Sequence, residues 1–221
     1  MIMSNNNELI YLPVSLGEAI DKLTILDIKI EKIKDNRQND VKIEYDLLYK
    51  DLKNFIIKYE NLYETMRNVN LLIWDMMDIL RDGEVNEEKY LKICKECIEY
   101  NDIRFRVKNK INCVSKSCLK EQKSYKINRL IIVINKDVTN NLILLNIIKY
   151  FSFKYDEIII ESKFNLDYLR EYFCYDISIC FKTDNTTIDY KNKVIIDNKE
   201  YNCNNLYDLF NITEKEIKKI I

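Results

Sequence analysis

The stretch "VKIEYDLLYKDLKNFIIKYENLYETMRNVNLLIWDMMDILRD" (residues 41–82) contains neither proline nor glycine. Its apolar residues recur in alternating steps of three and four: Tyr45, Leu48, Leu52, Phe55, Tyr59, Leu62, Met66, Val69, Ile73, Met76 and Leu80. That is a heptad seam, the pattern of a helix packed along its length against partner helices. Run unbroken from Val41 to Asp82, such a helix would be roughly 60 Å long at ~1.5 Å per residue. Asn68 and Asn70 are poor helix formers within it, but no residue forces a break.

The same period continues on both sides. Upstream, Leu16, Ile20, Leu23, Ile30 and Ile33 form a helical stripe that "DNRQND" closes with a loop. Downstream, Asp82-Gly83 is a helix stop and Asn86 suits an N-cap with acids in the following turn. Tyr90, Ile93, Cys97, Tyr100, Val107 and Ile111 then resume the spacing, with Arg104 in a slot where an apolar residue was due. Short loops between long helices make antiparallel neighbours. Residues 1–114 therefore read as an antiparallel three-helix coiled coil.

Residues 115–124 are polar and read as a linker. From 125 to 221 the period changes. "RLIIVI" (129–134), "EIIIE" (157–161) and "ISICF" (177–181) are short β-branched runs. The helical patterns "TNNLILLNIIKYF" and "NLDYLREYF" separate them, as in a parallel sheet buried on both faces. "TTIDYKNKVIIDNKEY" alternates and reads as a hairpin turning near Lys191-Asn192. "NLYDLF" and "TEKEIKKII" read as two short closing helices. The fold class is α+β overall: the coiled coil, then a small three-layer α/β module with a short parallel sheet and a β-hairpin.

Composition narrows the chemistry. Lys+Arg 35 against Asp+Glu 36 leaves a net charge of -1, so nothing pulls the whole chain toward nucleic acid. No apolar run is long enough to span a membrane and no secretory signal opens the chain. The seven cysteines form no regular framework and read as reduced thiols of a cytoplasmic protein. The Asn-, Ile-, Lys- and Tyr-rich bias is that of an AT-rich genome, as in a large DNA virus or a parasite. Histidine is absent, which excludes Ser-His-Asp and Cys-His catalysis and His-ligated metals. No Walker A motif or dinucleotide fingerprint is present, and no cofactor is expected.

"PVSLGEAIDKLTILDIK" (residues 13–29) holds the only proline and one of only two glycines in the chain. Pro13 fits an extended entry, Ser15 an N-cap, and Glu18 three positions on completes a capping box. Gly17 in the first turn would let another backbone come close. The set Pro13, Val14, Ser15, Gly17, Glu18, Asp21, Lys22, Thr24, Ile25, Leu26, Ile28 and Lys29 resembles the motif of a bacterial family of small helical proteins. Their genes sit among lipopolysaccharide and glycan-assembly genes, near glycosyltransferases. Trp74, Asp75, Asp78, Arg81 and Asp82 resemble a second block of that family. Asn101, Asp102, Arg104, Lys108 and Asn112 resemble a third. The resemblance covers roughly residues 10 to 125. It implies a setting, glycan assembly, and brings no reaction with it.

Four candidate sites emerge. Glu18, Asp21, Lys22, Asn101, Asp102 and Arg104 share one region when the helices fold about their loops. They read either as a polar pocket for an anionic or sugar-like ligand or as an interhelical salt-bridge network that fixes register. The segment around Trp74, with Leu71, Met77 and Ile79, is apolar all round, so the α/β half or a second copy of the chain must cover it. Cys94, Cys97, Cys113 and Cys118 approach a four-thiolate zinc spacing, but Cys94 and Cys97 lie inside a helical pattern with no knuckle, and no metal is expected. Lys136, Thr139, Lys163 and Lys182 lie at strand carboxyl ends, where open α/β sheets hold anions, though without the glycine-rich loop that a pyrophosphate needs. The expected function is a non-enzymatic adaptor that binds a protein partner or itself as a homodimer. The alternative is a glycosyltransferase-like protein that takes a sugar nucleotide at the strand ends. Nucleic acid ranks last because basic and acidic residues alternate throughout.

Overall fold

The computed structural model describes all residues except 1–9, 125–126, 135–140, 174–175, 177, 184–191, 197 and 221. The first half is helical: α1 (Leu16–Lys32), α2 (Arg37–Lys58), α3 (Glu60–Asp82) and α4 (Glu87–Val114). The ends form where the sequence signals them. Ser15 caps α1 by accepting from the Glu18 amide, and Asn86 caps α4 by accepting from Lys89. Gly83 closes α3 in the left-handed region, at φ 69°.

The long second helix of the sequence reading is two helices. The break falls at Tyr59, whose backbone leaves the helical region (φ −129°, ψ 45°) without help from glycine or proline. In a continuous helix Tyr45 and Tyr63 would be about 27 Å apart, yet both belong to one core, with Tyr45 packed against the cluster that holds Tyr63. The cause is tertiary. α1 is only about 25 Å long at ~1.5 Å per residue, so a straight partner would leave half its seam uncovered. The corner at Tyr59 lets α2 and α3 both pack on α1. Ile20 and Leu23 of α1, Leu52 of α2, Tyr63 and Met66 of α3, and Val107 and Ile111 of α4 form one core.

The second half holds β1 (Arg129–Ile134), α5 (Asn141–Phe151), β2 (Glu157–Ser162), α6 (Asp167–Tyr172), β3 (Ile179–Thr183), β4 (Asn192–Ile196), β5 (Lys199–Cys203) and α7 (Leu206–Ile220). The sheet order is β3-β2-β1-β4-β5. β1, β2 and β3 are parallel, and β4 pairs antiparallel to β1. Ile132, Ile158 and Ile160 of the sheet pack with Leu144, Ile148 and Phe151 of α5 and Leu209 of α7 in a second core. The hairpin turns between Ile196 and Lys199, not near Lys191-Asn192. Asn198 takes the positive φ of 65° that the turn needs, a conformation asparagine tolerates well. The two closing helices are one, α7, because Leu209, Ile212 and Thr213 continue a single buried stripe across the expected gap.

Residues 115–124 run back along α4. Glu121 pairs with Lys108, and the Lys123 ammonium lies over the Phe105 ring at 5.2 Å. α4 also meets the sheet half through its other face. Arg106 pairs with Asp156 at 3.0 Å and Lys110 with Asp176, all four side chains largely buried.

Candidate functional site

α1 and α4 run antiparallel, so Gly17 meets Asn112, Glu18 meets Lys108, and Asp21 meets Arg104. The contact is closest at Gly17. Its amide donates to Asn112 Oδ1 at 2.7 Å, and a Cβ there would stand 2.6 Å from the Lys108 carbonyl oxygen. The missing side chain sets the spacing of the two helices. Asn112 Nδ2 is buried and has no acceptor among the described residues.

One turn on, Arg104 holds both carboxylate oxygens of buried Asp21. Asn70 of α3 joins from the third side, donating to Asp21 Oδ1 and Thr24 Oγ1, each at 2.9 Å. Lys108 reaches Glu18 at 2.6 Å and also Glu121. Burial opposes its charge, but these two carboxylates outweigh burial and hold its pKa above the ordinary lysine value. Glu18 therefore serves Lys108; its partner is not its own N-cap amide, as a full capping box would require.

The six residues of the first candidate site do not all gather. Glu18, Asp21 and Arg104 come together. Lys22 faces solvent and pairs with Glu44. Asn101 is exposed and donates to the Cys97 carbonyl of its own helix. Asp102 is half-buried on α4. Asn70 and Glu121 were missed. The signal for Asn70 was available: it lies four positions after Met66 and three before Ile73, on the seam face, where a polar group needs partners.

The Trp74 segment belongs to neither core. Trp74, Leu71 and Met77 are half-buried and Ile79 is exposed. Ion pairs and hydrogen bonds across the junction of the halves fall on Glu99, Arg106 and Lys110, from the middle of α4 toward its other end. At the free end of the α3–α4 hairpin, Leu72, Ile79, Tyr90, Leu91 and Ile98 are all exposed.

Lys163 and Lys182 lie exposed at the carboxyl ends of β2 and β3, where Lys182 stands opposite Glu161 in the strand register. Lys136 and Thr139 lie outside the described residues. Among the described residues no cluster of His, Cys, Asp or Glu is placed to hold a metal ion, and no helix is long and apolar enough to cross a membrane. The chain matches no protein-family model, no curated protein and no solved structure.

Proposed function

We propose that the protein is a non-enzymatic adaptor that docks a protein partner, in the first instance a second copy of itself, on the free end of the α3–α4 hairpin. The observation that carries this reading is the apolar surface beside Trp74. Leu72, Ile79, Leu91 and Ile98 keep 44%, 40%, 54% and 65% exposure outside both cores. Exposed apolar side chains gathered near one end of a helical hairpin mark an interaction site where they join into one patch. The polar cluster between α1 and α4 supports the same reading: its cations and carboxylates are matched to each other, as in a register-fixing network. The setting in glycan assembly rests on the motif resemblance alone.

Sedimentation of the wild type against Ile79→Glu/Leu91→Glu tests the reading, since both positions are exposed and the substitutions leave the cores intact. A concentration-dependent dimer that the double variant loses is the expected result. A wild type that stays monomeric to about 0.1 mM removes self-association.

A second reading, a transferase acting on an activated sugar at the strand ends, is favoured by the position of Lys163 just after β2 and Lys182 near the end of neighbouring β3. Thermal stabilisation by a nucleotide sugar, lost in Lys163→Ala/Lys182→Ala, is its expected signature.

A further inference from the structure

A cavity of about 240 Å³, lined by charged, polar and aromatic side chains, lies between the halves. One wall is a face of α4, with Phe105, Arg106, Asn109 and Lys110 at helical spacing. The opposite wall comes from the amino ends of the parallel strands, where Asp156 precedes β2 and Asp176 precedes β3. This is the end of the sheet opposite Lys163 and Lys182. Lys120 and Gln122, from the segment that runs back along α4, complete the lining.

The hydrogen-bonding groups in this cavity are unbalanced. The two carboxylates are occupied. Asp156 takes Arg106 on one oxygen and the Asn128 amide on the other. Asp176 takes Ser178 on one oxygen and Lys110 on the other. The donors are in surplus. Lys110 gives one N–H to Asp176 and lies over the Phe153 ring, which leaves further N–H bonds. Among the described residues nothing pairs with the side chains of half-buried Asn109 or of exposed Lys120 and Gln122, and each carries side-chain donors. Two aspartates face three cations, so one positive charge is uncompensated. Burial pulls the Lys110 pKa below the ordinary lysine value, and Asp176 offsets only part of that effect. A further anion beside Lys110 would favour its charged form.

We propose that this cavity binds a small organic anion whose phosphate or carboxylate is held by Lys120, Asn109 and Lys110. Its size sets an upper limit. It holds the volume of about eight waters at ~30 Å³ each and falls below the ~300–1,000 Å³ of sites for larger ligands. A three-carbon phosphate ester fits this limit and a nucleotide sugar exceeds it. The site bridges the halves, so an occupant would touch both α4 and the strand ends.

Isothermal titration of the full chain with glycerol 3-phosphate, glycerate and glycerol tests the proposal. The expected result is binding of glycerol 3-phosphate with a Kd below about 1 mM and no binding of glycerol. Lys120→Ala and Asn109→Ala, each with an unchanged circular dichroism spectrum, are expected to weaken it about tenfold or more. Lys182→Ala, at the other end of the sheet, is expected to leave it unchanged. Binding of glycerate alone supports the site and assigns it to carboxylates. Binding of neither anion at about 10 mM, binding of glycerol as tight as glycerol 3-phosphate, or affinity undiminished in Lys120→Ala overturns the proposal.

Discussion

Arg104 on α4 closes on Asp21 of α1 with two parallel hydrogen bonds, Nε to Oδ1 at 2.7 Å and Nη2 to Oδ2 at 2.5 Å. The fork makes the pair directional, so it fixes how far α4 slides along α1. Asp21 is buried, and removing its partner strands a charge. Arg104→Met is expected to cost about 3–5 kcal/mol in urea unfolding. Asp21→Leu/Arg104→Met, which removes both charges, is expected to recover at least half of that loss. A double variant as unstable as the single one would show that the stranded charge is not the cause.

The two glycines separate two kinds of constraint. Gly17→Ala places a methyl 2.6 Å from a backbone oxygen and 2.9 Å from Asn112 Oδ1, so the helices must move apart. The expected loss is about 1–3 kcal/mol, the range for overpacking. Gly83→Ala meets no neighbour within 4 Å, but φ +69° is strained for any side chain. Its expected cost is about 1 kcal/mol, and thermal melts of the two variants check both values.

Lys116 occupies a glycine's position. After α4 the Lys116 amide bonds the Cys113 carbonyl at 3.1 Å and the Ser117 amide bonds the Asn112 carbonyl at 2.9 Å, the paired bonds of a Schellman close. Lys116 itself has φ 54°. Lys116→Gly is expected to stabilise the protein by about 1 kcal/mol, read as a raised unfolding midpoint in urea.

Cys203 gives the fold an alkaline limit. Burial, with a smaller contribution from Asp208, pushes its thiol up from 9.0 to about 11. The folded chain holds this proton at pH values where the unfolded chain has released it. Stability is therefore expected to fall as pH rises from about 9 to about 11, by up to about 3 kcal/mol from this group. Lys108, whose pKa is also raised, adds to the fall once the pH passes the unfolded lysine value. Cys203→Ala is expected to show a shallower decline when urea unfolding is followed across that window.

Much of the architecture was legible because it rests on local signals. The β-branched runs became β1, β2 and β3, and the caps at Ser15 and Asn86 formed where the residue types place them. The corner at Tyr59 was not legible. No residue there breaks a helix by itself, and what turns the chain is the shortness of α1, a partner 27 or more positions upstream. The polar cluster was legible in part. Arg104 announced itself as a charge in an apolar slot, and rise-per-residue arithmetic brought it near Asp21. Asn70 looked like a weak helix former because its partners, Asp21 and Thr24, lie on another helix. The junction cavity left no trace in the sequence. Arg106 and Lys110 look like a solvated helix face until the strand ends cover them.

α4 gives one face to each half of the molecule. Val107 and Ile111 are sealed among the first helices, while Arg106 and Lys110, one position away in each case, are sealed against Asp156 and Asp176. Melting either half would strip one face of this helix, exposing apolar side chains on one side or leaving two charges unmatched on the other. The two cores are therefore expected to melt together, read as coincident urea transitions by tryptophan fluorescence and far-UV circular dichroism. In such a transition a molecule that binds the sheet half stabilises the helical half by the same free energy.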